Sequence, residues 1–182
     1  MTFHLRLEAS PELPTLSRPS RLDVRPRGPL SAHDELVSVL RDQCRALHRT
    51  GRVHFYVGGF GQATWPVDVS TDLAVVLEQL PGVMVGLREE GQVFQLNFFE
   101  QGIERYLTGV LRSANVTFEC ISLQPNWTPK PGIEVVAVTE AVEMFRELSE
   151  TFRSAVSGVC PWLSEEPAFQ LWTQCVERGT LP

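Results

Sequence analysis

"VMVGLREEGQVFQLNFFEQGIERYLTGVLRSANVTFECISL", residues 83–123, is the stretch that decides the fold. It contains four apolar, β-prone segments: "VMVGL", "VFQLNFF", "IERYLTGVL" and "VTFECISL". The segments are separated by short turns rich in glycine, asparagine and charged residues. Because turns this short join antiparallel neighbours, the stretch predicts a four-stranded antiparallel meander.

Alternation along these strands gives the predicted sheet two different faces. The apolar face is predicted to be core, and its members are Val83, Val85, Leu87, Phe94, Leu96, Phe98, Ile103, Leu107, Leu111, Val116, Phe118 and Cys120. The other face mixes polar and aromatic side chains, among them Gln95, Asn97, Phe99, Glu104, Tyr106 and Glu119.

The mixed face combines side chains that suit neither water nor a protein interior. A solvated face has little use for Phe99 and Tyr106, and a buried face would not hold carboxylates without partners. Aromatic anchors ringed by polar groups are typical of binding hot spots, so we predict that these six residues contact a partner protein. The alternative is that residues 10–29 or the last helix cover the face within one chain.

The segments around the meander predict helices and further strands. The apolar spacing predicts about four helices, which begin near Ser31, near Ser70, at Thr139 and near Ser164. Residues 2–8 and 53–57 predict additional N-terminal strands. Together these elements predict an α+β fold in a single domain over residues 1–182.

Residues 10–29, "SPELPTLSRPSRLDVRPRGP", contain five prolines and almost no hydrophobic periodicity. Each proline fixes φ and removes a backbone donor. We therefore predict an extended Pro/Arg-rich surface segment.

Charge and composition narrow the class of ligand. Residues 1–30 carry five arginines against three carboxylates, a net of +2, so the rest of a chain of net charge −6 carries −8. A body this acidic repels phosphate backbones, which argues against nucleic acid and favours a basic protein partner. The four cysteines have no C-x-x-C spacing, no apolar run is long enough for a membrane span, and Arg6 and Glu8 interrupt any signal peptide, so we expect a cytoplasmic protein.

The glycine-rich loop that begins "GGFGQATWPVD" at Gly58 invites comparison with phosphate-binding loops. Thr64 stands where the dinucleotide fingerprint needs its third glycine, and no lysine precedes Lys130. The next helix also begins too late to bring its N-terminus to a phosphate. The loop therefore favours a turn with Phe60 and Trp65 folded onto the core, and we expect no cofactor.

Catalytic and metal-binding patterns are weak throughout the chain. A metal site from His4 and His54 would require their strands to pair and bring the rings together. Glu104 and Glu119 offer a hydrolase alternative, because glycosidases use two carboxylates about 5–9 Å apart. A small-ligand-binding domain with the glycine loop at its mouth is a further alternative. Lacking a defined reaction centre, the sequence favours a non-enzymatic protein and predicts no catalytic residue and no metal.

A run of glutamates follows one side of the predicted helix after Thr139. Its members are Glu140, Glu143, Glu147 and Glu150. Such a run is typical of a solvated helix face, and docking of a basic protein is the alternative.

Three stretches carry a resemblance to a known class: "FYVGGFGQATWPVDV", "FQLNFFEQGIERYL" and "VCPWLSEEPAFQLW". In these stretches the chain resembles immunity proteins of bacterial polymorphic toxin systems. The resemblance implies a cytosolic protein that blocks a cognate toxin by tight binding. Complementary charge speeds association, so an acidic inhibitor suits a basic toxin domain.

Overall fold

The structure is a computed structural model, and it describes residues 2–18, 31–99 and 102–181. Its strands are β1 (His4–Ala9), β2 (Val53–Gly58), β3 (Val93–Phe98), β4 (Arg105–Arg112), β5 (Asn115–Ser122) and β6 (Ile133–Ala137). Its helices are α1 (Ala32–Arg49), α2 (Asp72–Gly86), α3 (Val138–Val159), α4 (Pro161–Ser164) and α5 (Pro167–Arg178). The predicted α+β fold is confirmed.

Helix α1 begins where its capping residue predicts. The Ser31 hydroxyl accepts a hydrogen bond from the Asp34 backbone N–H at 3.1 Å, which satisfies one of the free donors at the helix start. Leu40 and Leu47, on the inner side of the helix, are fully buried. Gly51, with φ of 62°, follows the helix in the left-handed conformation that glycine adopts readily.

The main sheet has four antiparallel strands in the order β3-β4-β5-β6. Its apolar face is buried as predicted, at Phe94, Leu96, Phe98, Leu107, Leu111, Val116, Phe118 and Cys120. The number of strands is as predicted, but the identity of one of them is not.

The prediction of a strand at residues 83–87 is wrong, because residues 83–86 belong to α2 and Leu87 is its C-cap. Most of α2 is buried, and a helix that is apolar on nearly all sides shows no helical period in its sequence. Pro81 and Gly82 lie inside the helix and do not end it. Proline cannot donate the usual bond to the carbonyl four residues earlier, at Leu77. The Trp172 indole N–H donates to that carbonyl instead, at 2.8 Å, which lets α2 continue through Pro81.

The fourth strand is β6, in a region to which sequence analysis assigns no strand. Its sequence, "IEVVA", alternates between exposed and buried side chains. The prolines just before it obscure the strand signal, because they favour a loop. The sheet therefore forms from residues 93–137 and not from residues 83–123.

The N-terminal strands form a separate antiparallel pair, β1 with β2. Residues 10–18 then contain no helix or strand and lie against the end of α3, where the Leu16 N–H donates to Val159 O at 2.7 Å. Leu13 and Leu16 pack against the core. The first part of the predicted surface segment is thus attached to the body, and residues 19–29 lie outside the described residues.

The C-terminal region holds two helices where one is predicted near Ser164. The short α4 precedes α5, which begins at Pro167. Phe169, Trp172 and Val176 of α5 are buried. Within the described ranges, no helix has the length and apolar character needed to cross a membrane.

Candidate functional site

The outer face of the β3–β6 sheet carries an unusual share of exposed apolar side chains. Among the described residues nine large apolar side chains are exposed, and seven of them lie on this face or at its strand ends. These seven, which we call the outer-face patch, are Val93, Phe99, Tyr106, Ile121, Leu123, Ile133 and Val135, with exposed fractions from 36% to 60%. The other two, Leu171 and Leu181, belong to the C-terminal region.

The strand register gathers the aromatic members at one end of the face. Tyr106 of β4 lies opposite Ile121 of β5. The ring of Phe99, just after β3, meets Tyr106 edge to face with centroids 5.8 Å apart. Aromatic pairs in this geometry are favourable beyond the area they bury, so the two rings stabilise each other's position.

Four of the six predicted partner-binding residues are exposed on this face. Gln95 and Glu119 lie on either side of Thr108, in the middle of the sheet, and both are exposed. Phe99 and Tyr106 belong to the outer-face patch. A single surface can therefore present all four to a partner.

Asn97 does not belong to that accessible set, because only 8% of its surface is exposed. Its backbone N–H and C=O are bound by the Gln79 side chain, at 2.8 and 2.9 Å. Gln79 reaches from α2 and occupies this edge of β3 as a neighbouring strand would. Alternation places Asn97 on the outer face, but it does not reveal that the position is covered.

Glu104 lies at the margin of the face and is half buried. Its φ of 42° interrupts the strand alternation just before β4 begins. Its carboxylate accepts a hydrogen bond from Gln124 Nε2 at 2.6 Å. Glu119 lies opposite Thr108, four residues further along β4, so the two glutamate backbones are about 14 Å apart. The structure does not bring the two carboxylates together in the manner of a glycosidase.

The last helix does not cover the outer face. Helix α5 packs against α1, α2 and α4, on the opposite side of the sheet. Its aromatic residues stack within that layer, with Phe152 of α3 meeting both Phe169 and Trp172. That alternative is therefore wrong for α5, whereas residues 19–29 lie outside the described part of the chain.

A buried arginine lies at the aromatic end of the sheet, on its core side. Arg105 is only 3% exposed, and its guanidinium lies between the rings of Trp65 and Trp127, at 4.2 and 3.5 Å from their centroids. Nη2 donates to Gln62 Oε1 at 2.6 Å, whereas Nε and Nη1 have no hydrogen-bond partner among the described residues. Burial lowers the pKa of Arg105 to about 10, so it remains charged at neutral pH.

Sequence analysis missed Arg105, although a signal was present. It lies midway between Ile103 and Leu107, both predicted to face the core, so alternation places it on the same face. An arginine is seldom fully buried, and the sequence gives no indication of the two tryptophans that enclose it.

Glu134 of β6 is a second buried charged residue on the core side. Its Oε1 accepts a hydrogen bond from the Phe60 N–H at 2.7 Å, and its Oε2 has no partner among the described residues. Cys120 of β5 interacts electrostatically with both Arg105 and Glu134. Burial raises the pKa of the Cys120 thiol to about 12, so it is protonated and unreactive as a nucleophile.

The glycine-rich loop serves close packing between two loops. A Cβ on Gly59 would lie 2.7 Å from Phe3 Cα, and one on Gly61 would lie 2.2 Å from Lys130 O. Both glycines have positive φ, 123° and 84°. Phe60 and Trp65 are buried, which confirms the predicted turn that folds back onto the core.

The histidines considered for a metal site lie at opposite ends of the β1–β2 ladder. His4 pairs with Gly58, and His54 pairs with Glu8. The strands pair as the metal hypothesis requires, but their register keeps the rings apart. Among the described residues no group of three or more His, Cys, Asp or Glu side chains is placed to hold a metal ion.

The glutamate run on α3 is partly neutralised within the helix. Arg146 contacts Glu143 at 2.5 Å and Glu150 at 4.0 Å. Glu140 and Glu147 are exposed. This arrangement favours the solvated helix face over a docking site.

Comparison of the chain with protein families, curated proteins and solved structures finds no match. Function is therefore inferred from the surface chemistry and from the residues themselves.

Proposed function

We propose that this chain is a cytoplasmic protein-binding module that neutralises a cognate bacterial toxin by direct contact through the outer face of its β3–β6 sheet. The toxin-neutralising role comes from the resemblance of three sequence stretches to immunity proteins. The location of the contact comes from the surface of the structure.

The observation that carries this proposal is the concentration of exposed apolar side chains on one sheet face. Seven of the nine in the described residues lie there. At about 150–250 Å² for a large side chain, their exposed fractions amount to on the order of 600 Å². That total is summed over the whole face, and it approaches the ~800 Å² per partner of a standard interface.

Polar residues border the aromatic end of the face. Gln95, Thr108 and Glu119 form a row across β3, β4 and β5, beside the Tyr106–Ile121 pair. A central apolar anchor with polar neighbours is the usual anatomy of a hot spot. Tyr106 combines a large ring with a hydroxyl, which suits it to that anchor position.

The charge of the chain favours a basic partner. Glu119 and Arg112 nearly balance each other on the face itself, so the net charge of −6 acts at longer range. Long-range attraction raises the association rate and weakens as salt screens it. A basic toxin domain is the partner that this balance fits.

The test is binding and rescue with the toxin domain encoded beside the gene of this protein. Tyr106→Ala should weaken binding by roughly 30-fold, about 2 kcal/mol, because it removes the proposed aromatic anchor. Tyr56→Ala is the matched control, since Tyr56 lies on the separate β1–β2 sheet, beneath Arg6. Glu119→Arg should slow association, and the effect should shrink with added salt.

The proposal fails if the parent does not bind the neighbouring toxin domain. It also fails if Tyr106→Ala and Ile121→Asp both fold and bind as tightly as the parent.

A further inference from the structure

Strand β6 is a free edge of the main sheet. The strand order makes β3 and β6 the two edges. The β3 edge is occupied at Asn97 by the Gln79 side chain. Strand β6 has no such cover among the described residues, and its sequence, "IEVVA", contains no lysine or proline to discourage another strand.

The backbone of β6 presents hydrogen-bonding groups along this edge. The Cys120 N–H donates to Gly132 O at 2.9 Å, so Gly132 faces β5. Alternate residues of an antiparallel strand face the same neighbour, so Glu134 also bonds β5, whereas Ile133 and Val135 direct their N–H and C=O groups outward. No described residue hydrogen-bonds these outward groups. Ile133 and Val135 are also the two exposed apolar side chains of the strand.

The inward-facing residue of the strand does not oppose pairing. An inward charge on an edge strand often discourages pairing, because a new strand would bury it. The Glu134 carboxylate is already buried and accepts a hydrogen bond from Phe60 in its own chain. Its desolvation cost is thus present in the monomer and is not added by a neighbour.

We propose that β6 pairs antiparallel with β6 of a second copy of this chain, across a two-fold axis at Val135. The two four-stranded sheets then form one eight-stranded sheet. Val135 faces its own symmetry mate, and Ile133 faces Ala137 of the second copy. Both pairs are apolar, and every outward backbone group gains a partner.

The charges at the ends of β6 are complementary under this symmetry. Lys130 and Glu140 are each five residues from Val135, on opposite sides, and both are exposed. Neither forms an ion pair with a described residue. The two-fold axis brings the lysine end of one copy to the glutamate end of the other, and it does so twice. A second copy therefore fits this edge by charge as well as by hydrogen bonding.

Dimerisation through the edge leaves the outer-face patch open and makes it continuous across the axis. Toxin binding and self-association are thus separable. A monomer that binds the toxin would overturn only the dimer, and a dimer that binds no toxin would overturn only the proposed function.

The experiment is sedimentation velocity of the full chain from about 1 µM to about 200 µM, with hydrogen exchange at both ends of that range. The parent should approach twice the 20.4 kDa of one chain. The amides of Ile133 and Val135 should exchange more slowly at the high concentration. A parent that stays monomeric, or amides that exchange equally at both concentrations, would overturn the dimer.

Two variants separate the edge from the face. Val135→Pro removes an outward N–H that the monomer does not use, so it should keep the fold and raise the dimer dissociation constant at least about tenfold. Ile121→Lys places a charge on the outer-face patch away from the edge and should dimerise like the parent. If Ile121→Lys is monomeric while Val135→Pro remains dimeric, the copies pack face to face and the edge model is wrong.

A charge exchange gives an independent check. Lys130→Glu should weaken the dimer, and adding Glu140→Lys in the same chain should restore it. Weakening without restoration would show that the two ends do not meet.

Discussion

The hydrogen bond from Trp172 to helix α2 makes a sharp prediction about stability. Pro81 leaves the Leu77 carbonyl without its helical donor, and the Trp172 indole supplies one at 2.8 Å in a buried setting. We expect the free energy of unfolding to depend on this hydrogen bond, in which an indole N–H takes the place of the missing backbone N–H. The pair can be tested by a double-mutant cycle, because Pro81→Ala restores the missing backbone donor.

The magnitudes follow from the buried carbonyl. Trp172→Phe keeps an aromatic ring for the stack on Phe169, where the rings lie 5.5 Å apart, but it leaves Leu77 O unsatisfied. An unsatisfied buried carbonyl costs about 1–3 kcal/mol, and the smaller ring adds a cavity cost. We expect a total loss of about 3 kcal/mol. In the Pro81→Ala background the carbonyl has a donor, so the same substitution should cost about 1–2 kcal/mol less.

The assay is urea unfolding of the parent, the two single variants and the double variant. The cavity cost occurs in both backgrounds and cancels in the coupling energy. A coupling of at least about 1 kcal/mol supports the exchange of donors. Additive effects, with a coupling below about 0.5 kcal/mol, would refute it and show that Trp172 stabilises α2 by packing alone.

Three further predictions concern buried polar groups. Arg105→Ala should lower the free energy of unfolding by about 3 kcal/mol, because it removes the guanidinium from between two indole rings. Arg105→Lys should retain less than half of that contribution, since an ammonium cannot stack, and urea unfolding measures both variants. At Asp68 burial alone would raise the carboxyl pKa, but hydrogen bonds from Thr71 and Ser70 outweigh that effect and lower the pKa. Asp68→Asn should therefore lower the free energy of unfolding by about 1 kcal/mol at pH 7, and by progressively less as pH falls through the folded pKa. Burial raises the pKa of the Cys120 thiol to about 12. The melting temperature should therefore decline as pH rises above about 9, where the thiol of the unfolded chain ionises and that of the folded chain does not, and Cys120→Ala should make this decline smaller.

Short turns and alternation were enough to predict the fold class and the buried face of the sheet. They fail where tertiary contacts replace local signals. Residues 83–86 are helical because α2 is buried on nearly all sides and an indole on another helix supplies the donor that its proline lacks. That indole belongs to Trp172, which lies 95 positions after Leu77 in the chain, so no local pattern reveals the hydrogen bond.

The candidate site was predictable to a similar extent. Alternation correctly placed Gln95, Phe99, Tyr106 and Glu119 on an accessible face. It could not predict that Asn97 is covered. It also could not predict that Ile133 and Val135 are exposed on this face, because β6 itself was not predicted. The apolar character of the outer face is therefore greater in the structure than the sequence analysis suggests.

The exposed side of the β1–β2 sheet differs in character from the outer face of the β3–β6 sheet. The exposed side of the β1–β2 sheet carries Arg6, Glu8 and His54, with Arg6 paired to Glu8 at 3.2 Å and resting on the ring of Tyr56. This face consists of charged and polar side chains, and the charges of Arg6 and Glu8 neutralise each other locally. The outer face of the β3–β6 sheet instead places apolar and aromatic side chains at the same kind of position, with Glu119 and Arg112 as its charged members. The difference between two sheets of one chain does not follow from composition or solubility, and it is the difference expected if the outer face contacts another protein, as proposed above.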